Sequence, residues 1–477
     1  MCRLHQTRRQ FLRTASLASM AGFYVSPFFL ELNSLAAMAQ ESSGTDYRAL
    51  VCVYLQGGND GHGTVIATDP DSYAAFVQAR SGAPGLAYPL GNLLPITPQT
   101  PQSGRTFALN PYLTGVQNLF NAGRAAIVAN TGTLVVPATK TEIDANSVTL
   151  PDSLFSHFDQ TAAWQAISSN LGSGEHVGWG GSVADAIEAM NLNSNSVFTC
   201  ISTAGNALFL AGNSSVQLNV TPAGPIPIYG LSQPPFGAPA AANTLSAILS
   251  AEESNLFAQE YQAVINRSIQ AQAMLTTAMA PAGEGGVADP PPYLDPVSNK
   301  LTDNPLADSL QTVARIIAGR ASLGVTRQIF YVQLGSFDTH NDQAQVHSQL
   351  LTQLGAAFEY FDGLMVGMGL SSQVTAFTIS DFGRTLTCNS NGTDHGWGSH
   401  HLVLGGAVKG EDMYGQFPVV GVDQTNDVGE GRLIPTTAVE QYAGTLARWF
   451  GLSDGQIREV FPNFGNFGSN PYLGFMG

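Results

Sequence analysis

Residues Ile329–Gln343 read IFYVQLGSFDTHNDQ, and after a helical stretch residues Val374–Gly406 read VTAFTISDFGRTLTCNSNGTDHGWGSHHLVLGG. Two apolar runs here, Ile329–Leu334 and Val374–Ile379, each break into a loop that carries a carboxylate. A third, Leu402–Leu404, follows His400 and His401 directly. Continuous β-branched and apolar runs of this length are the pattern of strands buried on both faces. Five of the nine histidines fall between Ile329 and Gly410: His340, His347, His395, His400 and His401. Asp338, Asp342, Asp381 and Asp394 lie among them. Strands that deliver Asp and His to one rim build a site for a hard or borderline metal ion.

Outside this stretch the same apolar pattern recurs at Ala49–Leu55, Ala125–Ala129 and Val197–Ser202. Helical spacing appears at Tyr112–Ala122, 159–167, 244–278, Asp308–Ala321 and Pro435–Phe450. Alternation of buried strands with helices predicts an α/β fold, a doubly wound and mainly parallel sheet with helices on both faces. Residues 214–241 and 280–305 are rich in Pro, Gly and Asn. They are expected to be insertions in a single domain running from 40 to 477, the second of them a surface loop or lid.

The chain has 477 residues, 44% hydrophobic and 9% aromatic, enough for a sizeable core. Only 11% are charged, and the formal net charge is -16 with a pI near 4.8. That balance argues against a nucleic-acid partner and against an anionic membrane surface. Cys2, Cys52, Cys200 and Cys388 form no CxxC pair, which excludes a structural zinc module. The N-terminus reads Thr7-Arg8-Arg9-Gln10-Phe11-Leu12-Arg13, then a mildly apolar stretch, then Ala37-Met38-Ala39. This is the pattern of a twin-arginine export signal occupying residues 1–39, cut at an A-x-A site. It predicts a periplasmic or secreted protein with no membrane span in the mature chain. Oligomeric state is not written in the sequence.

Several residues carry candidate chemistry. Asp60 sits in Gln56-Gly57-Gly58-Asn59-Asp60-Gly61 at the end of the first strand, at the sheet edge where α/β proteins bind ligands. An Asx turn is the plainer reading of it. Ser156 opens the 159–167 helix, as an N-cap or as a nucleophile and anion ligand at the helix's positive end. His157 would position the nucleophile or the anion, or pair with a backbone carbonyl. Asp338 and His340 are two apart just after a strand, Asp381 follows the next strand, and His395 and His400 flank a Gly-Trp-Gly-Ser turn. Arg384 is a candidate anion clamp or a structural ion pair. Together Asp60, Asp338, His340, Asp381, His395 and His400 make a candidate site for one or two divalent ions, with zinc, manganese or iron the suitable metals.

The ordered set GGNDG, Ser-His-Phe, FDTH, SDFGRT, TDHGWGSHH and the PTT…LARWFG…VFPN tail resembles the twin-arginine-exported bacterial family called domain of unknown function 1501. That family looks like a branch of the alkaline phosphatase, sulfatase and phosphoglycerate mutase superfamily. The resemblance implies a parallel-sheet core with a two-metal site. In it Asp60 would be the first-strand ligand and Ser156 the nucleophile. Asp338 with His340 would form the Asp/His pair, Asp381 the next carboxylate, and His395 or His400 the last histidine. Two departures stand out. Phe382 occupies the place where the superfamily commonly has His, and the 338–340 spacing is shorter than usual. One metal position is therefore weakened, rebuilt from His395 or His401, or lost.

These readings predict a metal-dependent hydrolase of phosphate or sulfate esters, acting on a small anionic ester or an envelope polymer. The rival is a non-catalytic envelope binding or assembly protein that keeps the fold, favoured by Phe382 and the low-charge surface. A third reading is a carbohydrate esterase that uses one metal and water, in which Ser156 would be dispensable.

Overall fold

In a computed structural model the chain is described over residues 46–166, 177–227 and 255–477, and between them at 230–231, 237–238, 244 and 247–249. The export pattern at 7–13 and 37–39 lies outside the described residues, as does part of the helical stretch expected at 244–278.

The strands that build most of the main sheet and the site are, in chain order, β1 (Arg48–Leu55), β2 (Ala125–Gly132), β3 (Cys200–Ser202), β4 (Gln217–Thr221), β5 (Arg327–Leu334), β6 (Val374–Ser380), β7 (Arg384–Asn389), β8 (Gly392–His395), β9 (Ser399–Leu404) and β10 (Asp412–Tyr414). All but β7 and β8 belong to one sheet in the order β10–β2–β9–β6–β1–β5–β3–β4, with Gly224–Pro225 beyond β4 and Thr437–Ala438 beside β2. Strand β1 runs parallel to β5 and to β6, β5 parallel to β3, and β3 parallel to β4. Strand β9 is antiparallel to both its neighbours, β6 and β2. The fold is α/β with a mixed, mainly parallel sheet.

The helices that matter here are α1 (Thr114–Asn121), α2 (His157–Ala166), α3 (Trp179–Ala189), α4 (Pro305–Ala318), α5 (Gln343–Gly367) and α6 (Val439–Phe450). Side chains alternate along a strand, so β1 feeds two cores. Ala49, Val51, Val53 and Leu55 pack with α1, α4 and α5 on one face. Leu50, Cys52 and Tyr54 pack with α2, α3 and α6 on the other. This double burial is why β1 shows no polar alternation. Helix α4 starts where it does because Asn304 accepts from the Ala307 amide and Pro305 fits the first turn.

Three expectations change. The first residues of the Val197–Ser202 run coil as a 3-10 helix, Ser196–Phe198, capped by Asn195, so β3 is only Cys200–Ser202. Residues Gln217–Thr221, expected within an insertion, form an edge strand of the main sheet. The 280–305 loop folds a short hairpin of Tyr293–Leu294 with Leu301–Thr302 and is anchored on α4 and α5. Gln311 donates to the carbonyls of Val287 and Ala288, and the Tyr360 hydroxyl to that of Ala288.

Candidate metal centre

Three strands end side by side, and their loops form the site. Gly57 and Gly58 after β1 take φ of 114° and 88°, which side-chain-bearing residues rarely adopt. A Cβ on Gly57 would lie 2.3 Å from the Asp338 nitrogen, and one on Gly58 2.5 Å from the Phe382 ring. Without side chains the β1 loop can lie directly on the loops that follow β5 and β6. Arg384, fully buried, ties them together. It donates to the carbonyls of Gly57, Gly58, Phe337 and Thr393, and to Asp338 Oδ1 at 2.5 Å.

On this frame four side chains converge. Asp338 Oδ1 lies 3.4 Å from His157 Nε2, 3.0 Å from His340 Nε2 and 3.4 Å from His395 Nε2. The Nε2 atoms of His340 and His395 are 2.9 Å apart. Their neighbours assign the tautomers of two rings. His395 Nδ1 meets the Phe155 carbonyl at 2.7 Å, and a carbonyl only accepts, so Nδ1 carries the proton and Nε2 presents its lone pair. His157 Nδ1 meets Asp381 Oδ2 at 2.7 Å, with the same result. Asp381 is itself fixed by the Tyr54 hydroxyl at 2.7 Å and the Gly57 amide at 2.9 Å, both on Oδ1. A carboxylate behind one imidazole and a carbonyl behind another are the usual supports of metal-binding histidines.

The donor set fits a divalent cation. His157 Nε2 is buried with no hydrogen-bond partner and faces Asp338. Ligand atoms of His157, Asp338 and His395 lie within 4.8 Å of one another, and so do those of His340, Asp394 and His395. Imidazole and carboxylate together suit zinc, manganese or iron. The hydrogen bond to Asp381 raises the His157 pKa, and the nearby carboxylates add to this against burial. Burial lowers that of His395. Burial pushes Asp338 up, but the hydrogen bond and charge of Arg384, with His157 and His340 beside it, hold it below the usual carboxylate range. The carboxylate is therefore ionised at neutral pH. Phe382 packs its ring against His157 and His395, with centroids 4.8 and 4.6 Å away, so it walls the centre rather than binding in it.

The structure brings together Asp338, His340 and His395 from the expected ligands, and adds His157, expected to position a nucleophile or anion. Asp381 touches the centre only through His157, both its oxygens being occupied. Asp60 and His400 stand outside the two converging groups. Asp60 is buried in an ion pair with Arg80 at 2.9 Å, and also accepts from Gln343 at 2.7 Å and the Gly63 amide at 3.0 Å. His400 accepts the Asn130 amide on Nδ1 at 3.0 Å and stacks on Phe417. Ser156 accepts the Asp159 amide at 3.4 Å as the cap of α2. Arg384 is bound to four carbonyls and a carboxylate, which makes it a clamp between loops and not on a substrate anion. Asp394 and Tyr54 were not singled out for a role by sequence. The available signals were an Asp adjoining His395 and a tyrosine next to the last residue of an otherwise apolar run.

A cavity of about 980 Å³ opens over Asp338 and His157, at the carboxyl ends of β1, β3 and β5. No helix among the described residues is long and apolar enough to cross a membrane.

Solved structures similar to this chain include Ps i-CgsB in complex with k-i-k-neocarrahexaose, 8% identical, covering 86% of this chain and 74% of that one, with a TM-score of 0.36. The PsFucS1 sulfatase from Pseudoalteromonas sp. is 9% identical over 90% of this chain and 73% of its own, with a TM-score of 0.33. BT33494S-sulf, from a Bacteroides thetaiotaomicron locus for metabolism of multiple glycosaminoglycans, is 10% identical over 87% and 74%, with a TM-score of 0.34. No curated protein matches the sequence. Residues 47–461 match the family described as Protein of unknown function (DUF1501), and the chain belongs to that family.

Proposed function

We propose that this protein is an exported, metal-dependent hydrolase of phosphate or sulfate monoesters. The observation that carries the reading is the convergence of His157, His340 and His395 Nε2 on Asp338 Oδ1, with two of the rings held in the ligand tautomer from behind. The export part rests on the N-terminal pattern Thr7–Arg13 with Ala37–Ala39.

His157, Asp338, His340 and His395 would hold the ion. A bound divalent ion polarises ester oxygens and makes water a stronger nucleophile at neutral pH. Asp381, steadied by Tyr54 and Gly57, keeps the His157 ring aimed, and the Phe155 carbonyl does the same for His395. Arg384 fixes Asp338 from below. Ser156 does not line the cavity and its hydroxyl caps α2, so water is the better nucleophile. The net reaction consumes one water. Its oxygen bonds to phosphorus or sulfur, the ester bond to that atom breaks, and the two protons end on the alcohol and the released acid.

The test is elemental analysis of the purified protein beside His395→Ala and Asp338→Ala, with a panel of phosphate and sulfate monoesters. Bound transition metal that is lost in both variants, with turnover that chelation abolishes and metal restores, is the expected result. No metal under any loading condition, or metal kept by Asp338→Ala, would sink the reading and leave the binding-module alternative.

A further inference from the structure

The cavity over Asp338 has an unusual wall for a site that takes an anionic ester. Among the described residues lining it there is no lysine or arginine; the charge-bearing groups are His157, Asp338 and Asp381 at its floor. The polar side of the wall is neutral. It is built by Gln56, Gln333, Asn206 and Ser336. Gln333 donates to Gln56 Oε1, which leaves the Gln56 amide nitrogen and the Gln333 amide oxygen for a ligand. Asn206 Oδ1 accepts from Asn219, which leaves its Nδ2. Ser336, two residues before Asp338, holds a φ of 75°, a costly conformation of the kind that recurs at ligand sites.

The same cavity also has aromatic lining. Phe158, the second residue of α2, lines the cavity and yet is 82% exposed. An exposed aromatic ring that shares a cavity with neutral hydrogen-bonding groups is complementary to a ligand with an apolar face and a polar edge. A pyranose ring has this form, with C–H faces and a rim of hydroxyls. A polyanion does not fit the same wall. Each further sulfate or phosphate would need a cation, the described residues of the wall supply none, and the whole chain has a formal net charge of -16.

We infer that the organic part of the substrate is a neutral, sugar-like ring carrying a single ester anion, with Phe158 against its face and Gln56, Gln333 and Asn206 on its hydroxyls. This rests on the hydrolase reading above and assigns its substrate class. Polysulfated or polyphosphorylated chains are excluded by the same wall.

The experiment compares kcat/KM of the metal-loaded protein on hexose and N-acetylhexosamine monosulfates and monophosphates, on 4-nitrophenyl sulfate and phosphate, and on a polysulfated hexasaccharide. At least one sugar monoester should exceed both other classes by about tenfold or more. Phe158→Ala and Gln333→Leu should each lower that value about tenfold, mainly through KM, and lower the aryl esters less. In parallel, chelator-treated protein is titrated with an uncharged tetrasaccharide, and binding should weaken in Phe158→Ala. Aryl or polysulfated esters turned over as well as the best sugar monoester would overturn the sugar assignment and leave the hydrolase reading standing. No metal-dependent turnover of any monoester would overturn the hydrolase reading. The titration then stands alone, and no saccharide binding there overturns the chemistry assigned to the wall.

Discussion

Asp60 and Asp338 both follow a strand of the central sheet, and both stand among histidines, but their oxygens meet different partners. Asp60 is 2% exposed, and its oxygens are taken by Arg80, Gln343 and the Gly63 amide. His62 and His347 beside it are pushed down to about 4, chiefly by burial, and are neutral at pH 7. Asp338 keeps about half of its side chain exposed, and three imidazoles approach one of its oxygens. The first cluster has already balanced its charge with a guanidinium. The second has one arginine below and lone pairs above. Residue type at a strand end is thus a poor sign of a metal site. The sign is the convergence of several ligand atoms on one carboxylate oxygen, as three imidazole nitrogens converge on Asp338 Oδ1.

Exchanging the two aspartates is the strongest way to break this comparison. Asp60→Ala leaves the Arg80 guanidinium buried without its carboxylate and should cost about 3–5 kcal/mol. Metal content should be unchanged. Asp338→Ala should abolish metal binding yet cost about 1.5–3 kcal/mol in chelated protein, less than Asp60→Ala because Asp338 is half-exposed and Arg384 keeps its four carbonyls. Urea titrations of metal-free protein with parallel elemental analysis separate the two. Metal lost from Asp60→Ala at full stability would reverse the assignment of the clusters.

A second buried carboxylate, Glu440, sharpens the point, since among the described residues no arginine balances it in the way Arg80 balances Asp60. Glu440, in α6, accepts from Asn463 at 3.3 Å, and burial pushes its pKa up to about 7. The folded state therefore prefers the protonated acid more than the unfolded chain does. The stability this gives is full below the unfolded value near 4.5 and is lost as pH rises through about 7. Glu440→Gln should be close to neutral at pH 4 and stabilising above pH 7, by up to about 3 kcal/mol. Denaturation midpoints of both proteins across that window check the sign. A constant difference at all pH values would show that Glu440 does not titrate between the two states.

The support behind a ligand should matter less than the ligand. Asp381→Asn keeps the size of the side chain but weakens its hold on the His157 proton. Metal affinity should fall about 10–100-fold while the ion still binds at saturation. Competition with a chelator of known affinity measures it. An unchanged affinity would mean that His157 is not a ligand.

Much of the sheet could be read without coordinates. Strands β1, β2, β5 and β6 are buried on both faces, so their sequences are continuous apolar runs. Helix α3 was missed because it opens Trp179-Gly180-Gly181, a poor helical sequence by propensity. Packing explains the glycines: a Cβ on Gly181 would lie 2.2 Å from the Ala211 carbonyl carbon. The β7–β8 hairpin was also missed. Its residues show no apolar alternation, and it is held partly by Arg384, which reaches back to the β1 loop. In the site, Asp338, His340 and His395 were legible as residues next to strands. The role of His157 was not, because its ring is aimed by Asp381, 224 residues further on. Nor could sequence separate Asp60 from Asp338, since Arg80 comes from the end of a separate helix, Pro70–Ala79.

The smallest expected effect falls on Ser156, the residue that resemblance marks as the nucleophile. Its hydroxyl accepts the Asp159 amide at a long 3.4 Å, so Ser156→Ala removes a weak cap and should cost no more than about 1 kcal/mol. If water attacks the ester, kcat/KM should stay within about twofold of the parent on the best monoester. A covalent mechanism predicts a different result: a fall of about a thousandfold or more with metal content unchanged. The two outcomes are far enough apart for one assay to decide. Ser156 is a useful probe for a structural reason: it neighbours His157 in sequence, yet its own side chain turns to the helix and not to the cavity. A thousandfold loss would mean that α2 unwinds its first turn when substrate binds, and would reopen the likeness between the Asp338 centre and a two-step esterase.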